Sequence, residues 1–246
     1  MIKNARPMAA ARTRDAILNV AEVLFADRGF HGVSIREIAE AAGMRQSLVH
    51  YHFSNKETLY AAVYERRSLP INHSRSIMLQ EIMENAGSGR PPLHAIVRAL
   101  VGPSVLSSRD RASGGSTYAR LITQLINDPQ EHAVRISRTY NDPMARQVLD
   151  ALRRAMPAAD SVAMTWGYLF AMGAMTIAIA ETGRARRLNA DCNPNDVAAT
   201  LELLTTFVEG GIRALSEEEA SSAAPATVRK AARRPGGSRV KSPVAG

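Results

Sequence analysis

Between Arg45 and Lys56 the chain reads "RQSLVHYHFSNK", which gathers two amides, two imidazoles, a phenol, hydroxyls and two cations into one short run. These groups suit the reading and holding of a polyanion. Gln46 carries the paired donor and acceptor that meet adenine at its N6 and N7 edge, and Ser47 and His50 can exchange hydrogen bonds with other base edges. Tyr51, His52 and Lys56 are donors of the kind that grip phosphate oxygens, which fix register without reading sequence, and Arg45 stands at the edge where it could reach a base or a phosphate. A blander reading stands beside this one. His52 also fits a half-buried structural histidine, Lys56 a solvated surface charge, and Leu48 and Phe53 the core beneath the helix.

No rival chemistry assembles elsewhere. There is no P-loop, no nucleophile elbow, and only a "GSG" fragment at Gly87 in place of a dinucleotide fingerprint. His50 and His52 stand apart from Cys192, so no zinc spacing is present, and neither metal, catalytic group nor cofactor is expected.

Such a cluster needs elements to present it. Ile17, Val20, Ala21, Leu24 and Phe25 recur at helical spacing and Gly29 stops the run, which predicts a first helix from Arg12. Ser34 and Glu37 form an S-x-x-E capping box, so a short second helix starts there and closes at Gly43. A third short helix follows over about 45–52. Ser54 and Glu57 repeat the box and open a fourth, through Leu59, Ala62 and Val63. Two short helices around a glycine turn, braced by longer ones, are the requirements of a helix-turn-helix whose second helix enters the major groove. Ser34 and the amides at the starts of the second and fourth helices then suit phosphates on either side.

The run "LFADRGFHGVSIREIAEAAGM" followed by "HYHFSNKETL" resembles the TetR-type one-component regulators, over about Arg12 to Val63. Arg45 stands where that family usually has a Ser or Thr cap, Leu48 where Thr is common, and His50 where an aromatic is usual. The resemblance implies an all-α protein: an N-terminal three-helix helix-turn-helix domain joined to a larger helical ligand-binding and dimerisation domain. It also implies a homodimer on a palindromic double-stranded operator, released by a small molecule. "MPAADSVAMTWGYLFAMGAM" is loosely similar to the branch that senses fatty acyl or other apolar compounds, with Leu121, Leu125, Met164, Trp166, Phe170, Met172 and Met175 as candidate lining. The last two helices, about 159–182 and 194–215, are expected to pair with their symmetry mates, Gly167, Gly173 and Ala174 permitting close approach.

Composition agrees with this plan and narrows it. The chain has 246 residues and a formal charge of +8, which favours an acidic partner. Its single cysteine removes any need for an oxidising compartment, and no charged-then-apolar leader opens it, so the cytoplasm is the expected location. The uncharged stretch Ala163 to Ala180 is at the lower limit for a membrane span, but Thr, Gly and Trp dilute it, and a core helix is expected instead. The expected division is a loose basic arm (1–11), the DNA-binding domain (12–56), the ligand-binding and dimerisation domain (57–216) and a disordered basic tail (217–246). The tail keeps open a second reading, a sequence-indifferent architectural DNA binder. That reading leaves the large central domain without a role.

Overall fold

The computed structural model describes residues 5–110, 115–180, 182–193 and 195–222, and among these every regular element is helical. Helix α1 (Ala5–Arg28) is followed by α2 (Ile35–Ala41), α3 (Gln46–His52) and the long α4 (Lys56–Ala86). Then come α5 (Leu93–Arg109), α6 (Gly115–Asn127), α7 (Glu131–Ile136), a π-helical turn (Ser137–Asn141), α8 (Asp142–Ala155), α9 (Ser161–Ile179), α10 (Arg184–Leu188) and α11 (Val197–Ser222).

Both turns of the N-terminal unit need glycine. Gly29 (φ +72°) ends α1 and Gly43 (φ +65°) joins α2 to α3, each in the left-handed region that a side chain disfavours. Ser34 caps α2 as the spacing predicts: its Oγ accepts from the Glu37 amide, and the Glu37 carboxylate accepts from the Ser34 amide at 2.8 Å. The Ser34 hydroxyl, which also donates to that carboxylate, and then the Ser34 amide hold the Glu37 carboxyl below its ordinary pKa. Ile17, Ala21, Phe25, Ile38, Val49, Phe53, Leu59 and Val63 close over one another as the core of this unit.

Several expectations are corrected. The basic arm is helical from Ala5, because "ARPMAAART" has strong helix formers and Pro7 lies in the first turn, where its missing N–H costs nothing. The cap of α4 is Asn55, whose side chain accepts from the Thr58 amide at 2.7 Å, and not Ser54. Helix α4 runs through Pro70 to Ala86, and the polar loop before α11 contains α10. The segment "SSRDRASGGS" (107–116) reads as a surface loop, but its first three residues belong to α5 and its last two to α6, while 111–114 lie outside the described residues. Helix α11 reaches Ser222, beyond the expected start of the tail; the rest of the tail lies outside the described residues.

Glu22, which the periodicity leaves on the polar face of α1, is buried against α4. Arg66 Nη2 bonds its Oε2, and Arg67 Nε and Nη2 reach its Oε1 at 2.7 and 2.6 Å. Charge-assisted bonds of this kind lock the first helix of the DNA-binding unit to the helix that continues into the larger domain. Glu22→Gln is expected to lower stability by about 2 kcal/mol, read in a thermal melt as a drop of roughly 4–8 °C.

In the larger unit α4 and α5 pack together, α9 packs on α11 and α5, and α6 and α8 close the sides. Helix α9 is, among the described residues, the one helix long and apolar enough to cross a membrane; here it lies against α5, α6, α8 and α11. Pro143 stands in the first turn of α8, behind the π-helical turn that joins it to α7.

Candidate functional site

Helix α3 rests on a single buried side chain, Val49, and the polar groups fan out around it. Arg45, at the N-cap, makes no capping bond, and Gln46, Ser47, His50 and Tyr51 are exposed. Spaced four apart, Gln46 and His50 form one row and Ser47 and Tyr51 the next. Gln46 Nε2 lies 3.3 Å from His50 Nε2, so the amide and imidazole act as one hydrogen-bonding edge. Tyr51 is 81% exposed, with its ring edge-on to His52.

Two residues, Leu48 and Lys56, sit differently from expectation, and His52 takes the structural one of its two expected readings. Leu48 is not core: it is 37% exposed beside Ser47, because the apolar underside of so short a helix needs only Val49. A leucine there offers an apolar surface of the kind that meets a thymine methyl. His52 is half-buried between Tyr51 and Phe53, the setting of a structural histidine. Lys56 turns inward, with Nζ donating to the Val33 carbonyl at 3.0 Å and lying 4.3 Å from the centre of the Phe30 ring. It braces the turn before α2 against the start of α4. Ser34 remains exposed, with its hydroxyl and amide both engaged by Glu37. Arg14, which the spacing did not single out, stacks its guanidinium over Phe53.

The candidate lining of the effector domain divides into two groups. Leu121, Leu125, Met164 and Met175 are buried in the interior and Met172 is half-buried. Trp166 and Phe170 lie on the outer face of α9, 53% and 59% exposed, 5.6 Å apart. They continue a strip of exposed apolar side chains formed by Val162 and Ile177 of α9 and Leu203 and Phe207 of α11. A groove of about 400 Å³ runs between the two helices, lined by Phe170, Phe207 and Gly211 among others. Gly167 belongs to the contact inside the chain, since a Cβ there would come within 3.1 Å of Ile212, whereas Gly173, Gly210 and Gly211 face open space.

The interior of this domain holds a charge that sequence reading missed. Arg75 is buried, its Nε donating to the Leu100 carbonyl (2.8 Å), Nη1 to Asn72 (3.0 Å) and Nη2 to Ser104 (2.7 Å). Every one of these acceptors is neutral. Met175 Sδ lies 3.5 Å away, and the Tyr64 hydroxyl donates to Asn141 at 2.7 Å. Burial pushes the Tyr64 phenol well up and raises that of Tyr168, so both stay neutral beside this guanidinium.

Comparison with known proteins follows this geometry. A family model described as bacterial regulatory proteins of the tetR family matches residues 17–63, and a tetracyclin repressor-like C-terminal domain matches residues 98–211. The chain belongs to the TetR family. The family is one of bacterial regulatory proteins that bind DNA. Among curated relatives, the TetR-family chain is 32% identical over 101 residues to the transcriptional repressor BepR of Brucella suis, covering 41% of this chain and 46% of that protein. It is 41% identical over 58 residues to the regulator RutR of Escherichia coli, 24% of this chain and 27% of that one. The chain thus spans less than half the length of these relatives. Its fold is that of the fatty acid degradation regulator FadR from Bacillus halodurans, with a TM-score of 0.56 at 14% identity over 80% of this chain and 98% of the other. A complex of SmeT with triclosan matches with a TM-score of 0.52 at 16% identity, over 80% and 91%.

Proposed function

We propose that this TetR-family chain is a cytoplasmic repressor that binds a palindromic operator as a homodimer and leaves it when an amphipathic small molecule enters the larger domain. The observation that carries the DNA half is the exposed row of Arg45, Gln46, Ser47 and His50 on a helix seated by Val49 alone. Among the described residues, the Gln46–His50 contact is the one hydrogen bond that engages the side chains of this group. The apolar strip on α9 and α11 supports a two-fold dimer, which would set two copies of α3 one helical turn of DNA apart, roughly 34–36 Å.

Arg75 supports an effector with an anionic head and an apolar body. A buried guanidinium among neutral acceptors is a costly arrangement that an arriving anion relieves. FadR is named for fatty acid degradation and SmeT was solved with triclosan, both consistent with apolar effectors. Release requires only that the effector favour a spacing of the α3 pair that no longer matches successive major grooves.

Gln46→Ala tests the groove assignment. In selection from randomised duplexes it should lose preference at one symmetric position, by about 1–3 kcal/mol, while affinity for other positions holds. Unchanged preference would refute the placement of Gln46 against a base, and equal binding to unrelated duplexes by the parent protein would favour an architectural binder instead.

A further inference from the structure

The turn that carries Phe30 and His31 out of α1 docks against the connection between α6 and α7. Arg120 bridges to Asp27 at 2.8 Å, and Gln124 Nε2 donates to the Ala26 carbonyl at 3.0 Å. On this seam His31, Asp128 and His132 each offer one ligand atom, and the three atoms all lie within 4.8 Å of one another. We propose that these three side chains bind a divalent transition-metal ion of the zinc class, which clamps the helix-turn-helix unit to the effector domain.

His132 supplies the decisive observation. It is 8% exposed, and its Nε2 is buried with no hydrogen-bond partner. That atom lies 3.1 Å from Asp128 Oδ2, an ion-pair distance if the ring is protonated, but off the direction a hydrogen bond needs. A buried imidazole nitrogen in that state is costly unless something satisfies it. A cation bound by Nε2 and Oδ2 together does so.

The surroundings prepare the ligands. Phe30 stacks on the His132 ring at 3.8 Å between centroids, 23° from parallel, which fixes the ring plane. Asp128 Oδ1 accepts from the Gln130 amide at 2.9 Å across Pro129, which leaves Oδ2 turned to the histidine; such outer contacts orient metal ligands. The Asp128 and Glu57 carboxylates favour a cation there, and Lys56, which opposes one, is drawn towards Val33 and Phe30. His31 is exposed, so the ion has a path in and a fourth position open to water. Two imidazoles and one carboxylate with an open position suit zinc, with metal–nitrogen bonds of about 2.0–2.1 Å. Bonds of that length set tetrahedral ligand atoms about 3.3–3.4 Å apart, so His132 Nε2 and Asp128 Oδ2 already stand near that spacing at 3.1 Å, and the atoms now up to 4.8 Å apart draw in, which tightens the seam.

The full chain, stripped with chelator and dialysed against graded Zn²⁺, should take up one ion per chain, and Co²⁺ in its place should show the intense visible bands of a four-coordinate site. His31→Ala, at an exposed position that leaves the core intact, should weaken zinc binding by more than the roughly 10–100-fold typical of losing a supporting residue. Asp128→Asn should do the same with an unchanged circular dichroism spectrum. Zinc uptake equal in the parent and in His31→Ala, or no uptake by the folded parent, overturns the site. The clamp rests on the DNA-binding reading and is measured apart from it: zinc should change duplex affinity of the parent about 5–150-fold and of His31→Ala not at all. Equal duplex affinity with and without bound zinc overturns the clamp alone, whereas no duplex binding under any condition overturns the DNA reading and leaves the metal titration standing.

Discussion

Phe207→Glu is expected to give a folded monomer that has lost its operator. Phe207 is 72% exposed on α11, and its ring helps to line the groove between α9 and α11 together with Phe170. Nothing within the chain is left to collapse when the ring is removed, so the melting temperature of the protomer should change little. In a two-fold interface the substitution appears twice, and each carboxylate enters an apolar contact without a partner. Burying an unpaired charge costs several kcal/mol per ion. Two such sites at even ~2 kcal/mol each weaken association by about 10³-fold. Operator affinity should fall with it, because one copy of α3 holds one half-site only. Analytical ultracentrifugation and fluorescence anisotropy on the same sample check both parts. A Phe207→Glu protein that remains a dimer would show that the strip on α9 and α11 is not the interface, and a monomer with parental operator affinity would remove the need for a dimer.

Local features were legible in the sequence where one residue's chemistry decides them. The Ser34–Glu37 box and Gly43 needed only their neighbours, and the structure has both. At Ser54 the same rule chose the wrong residue, because Asn55 is an equally good acceptor and its bond to Thr58 wins by position. The burial of Glu22 was not legible from the period of α1, because its partners, Arg66 and Arg67, lie more than forty positions away. Helix α9 is apolar on every side, so periodicity had no polar face from which to tell that Trp166 and Phe170 turn outward while Met164 and Met175 turn in. His31 and His132 stand about a hundred positions apart. No spacing rule joins them, and only the docking of the α1 turn on α7 brings them together.

The second large effect concerns Arg75. Nineteen positions after the start of α4, roughly 28 Å along a helix, it touches α5 through Leu100 and Ser104 and approaches Met175 of α9. An anion that draws on this guanidinium therefore acts on the helix whose other end carries Lys56 and the brace to Val33. Arg75→Met keeps most of the volume and removes the charge. Replacing a buried charge by a well-packed apolar side chain is often neutral or stabilising, so the melting temperature should hold or rise. The response to effector should not survive. Dodecanoate and dodecanol share a chain and differ in the head group, which separates the guanidinium's contribution from that of the apolar lining. Dodecanoate should release the parent from operator DNA at a concentration at least about 100-fold lower than dodecanol, a difference of about 2.7 kcal/mol. For Arg75→Met the two compounds should act alike, at the higher concentration. Equal dodecanoate sensitivity in parent and variant would show that Arg75 serves only to tie α4 to α5, and that the effector meets its counter-charge elsewhere or carries none.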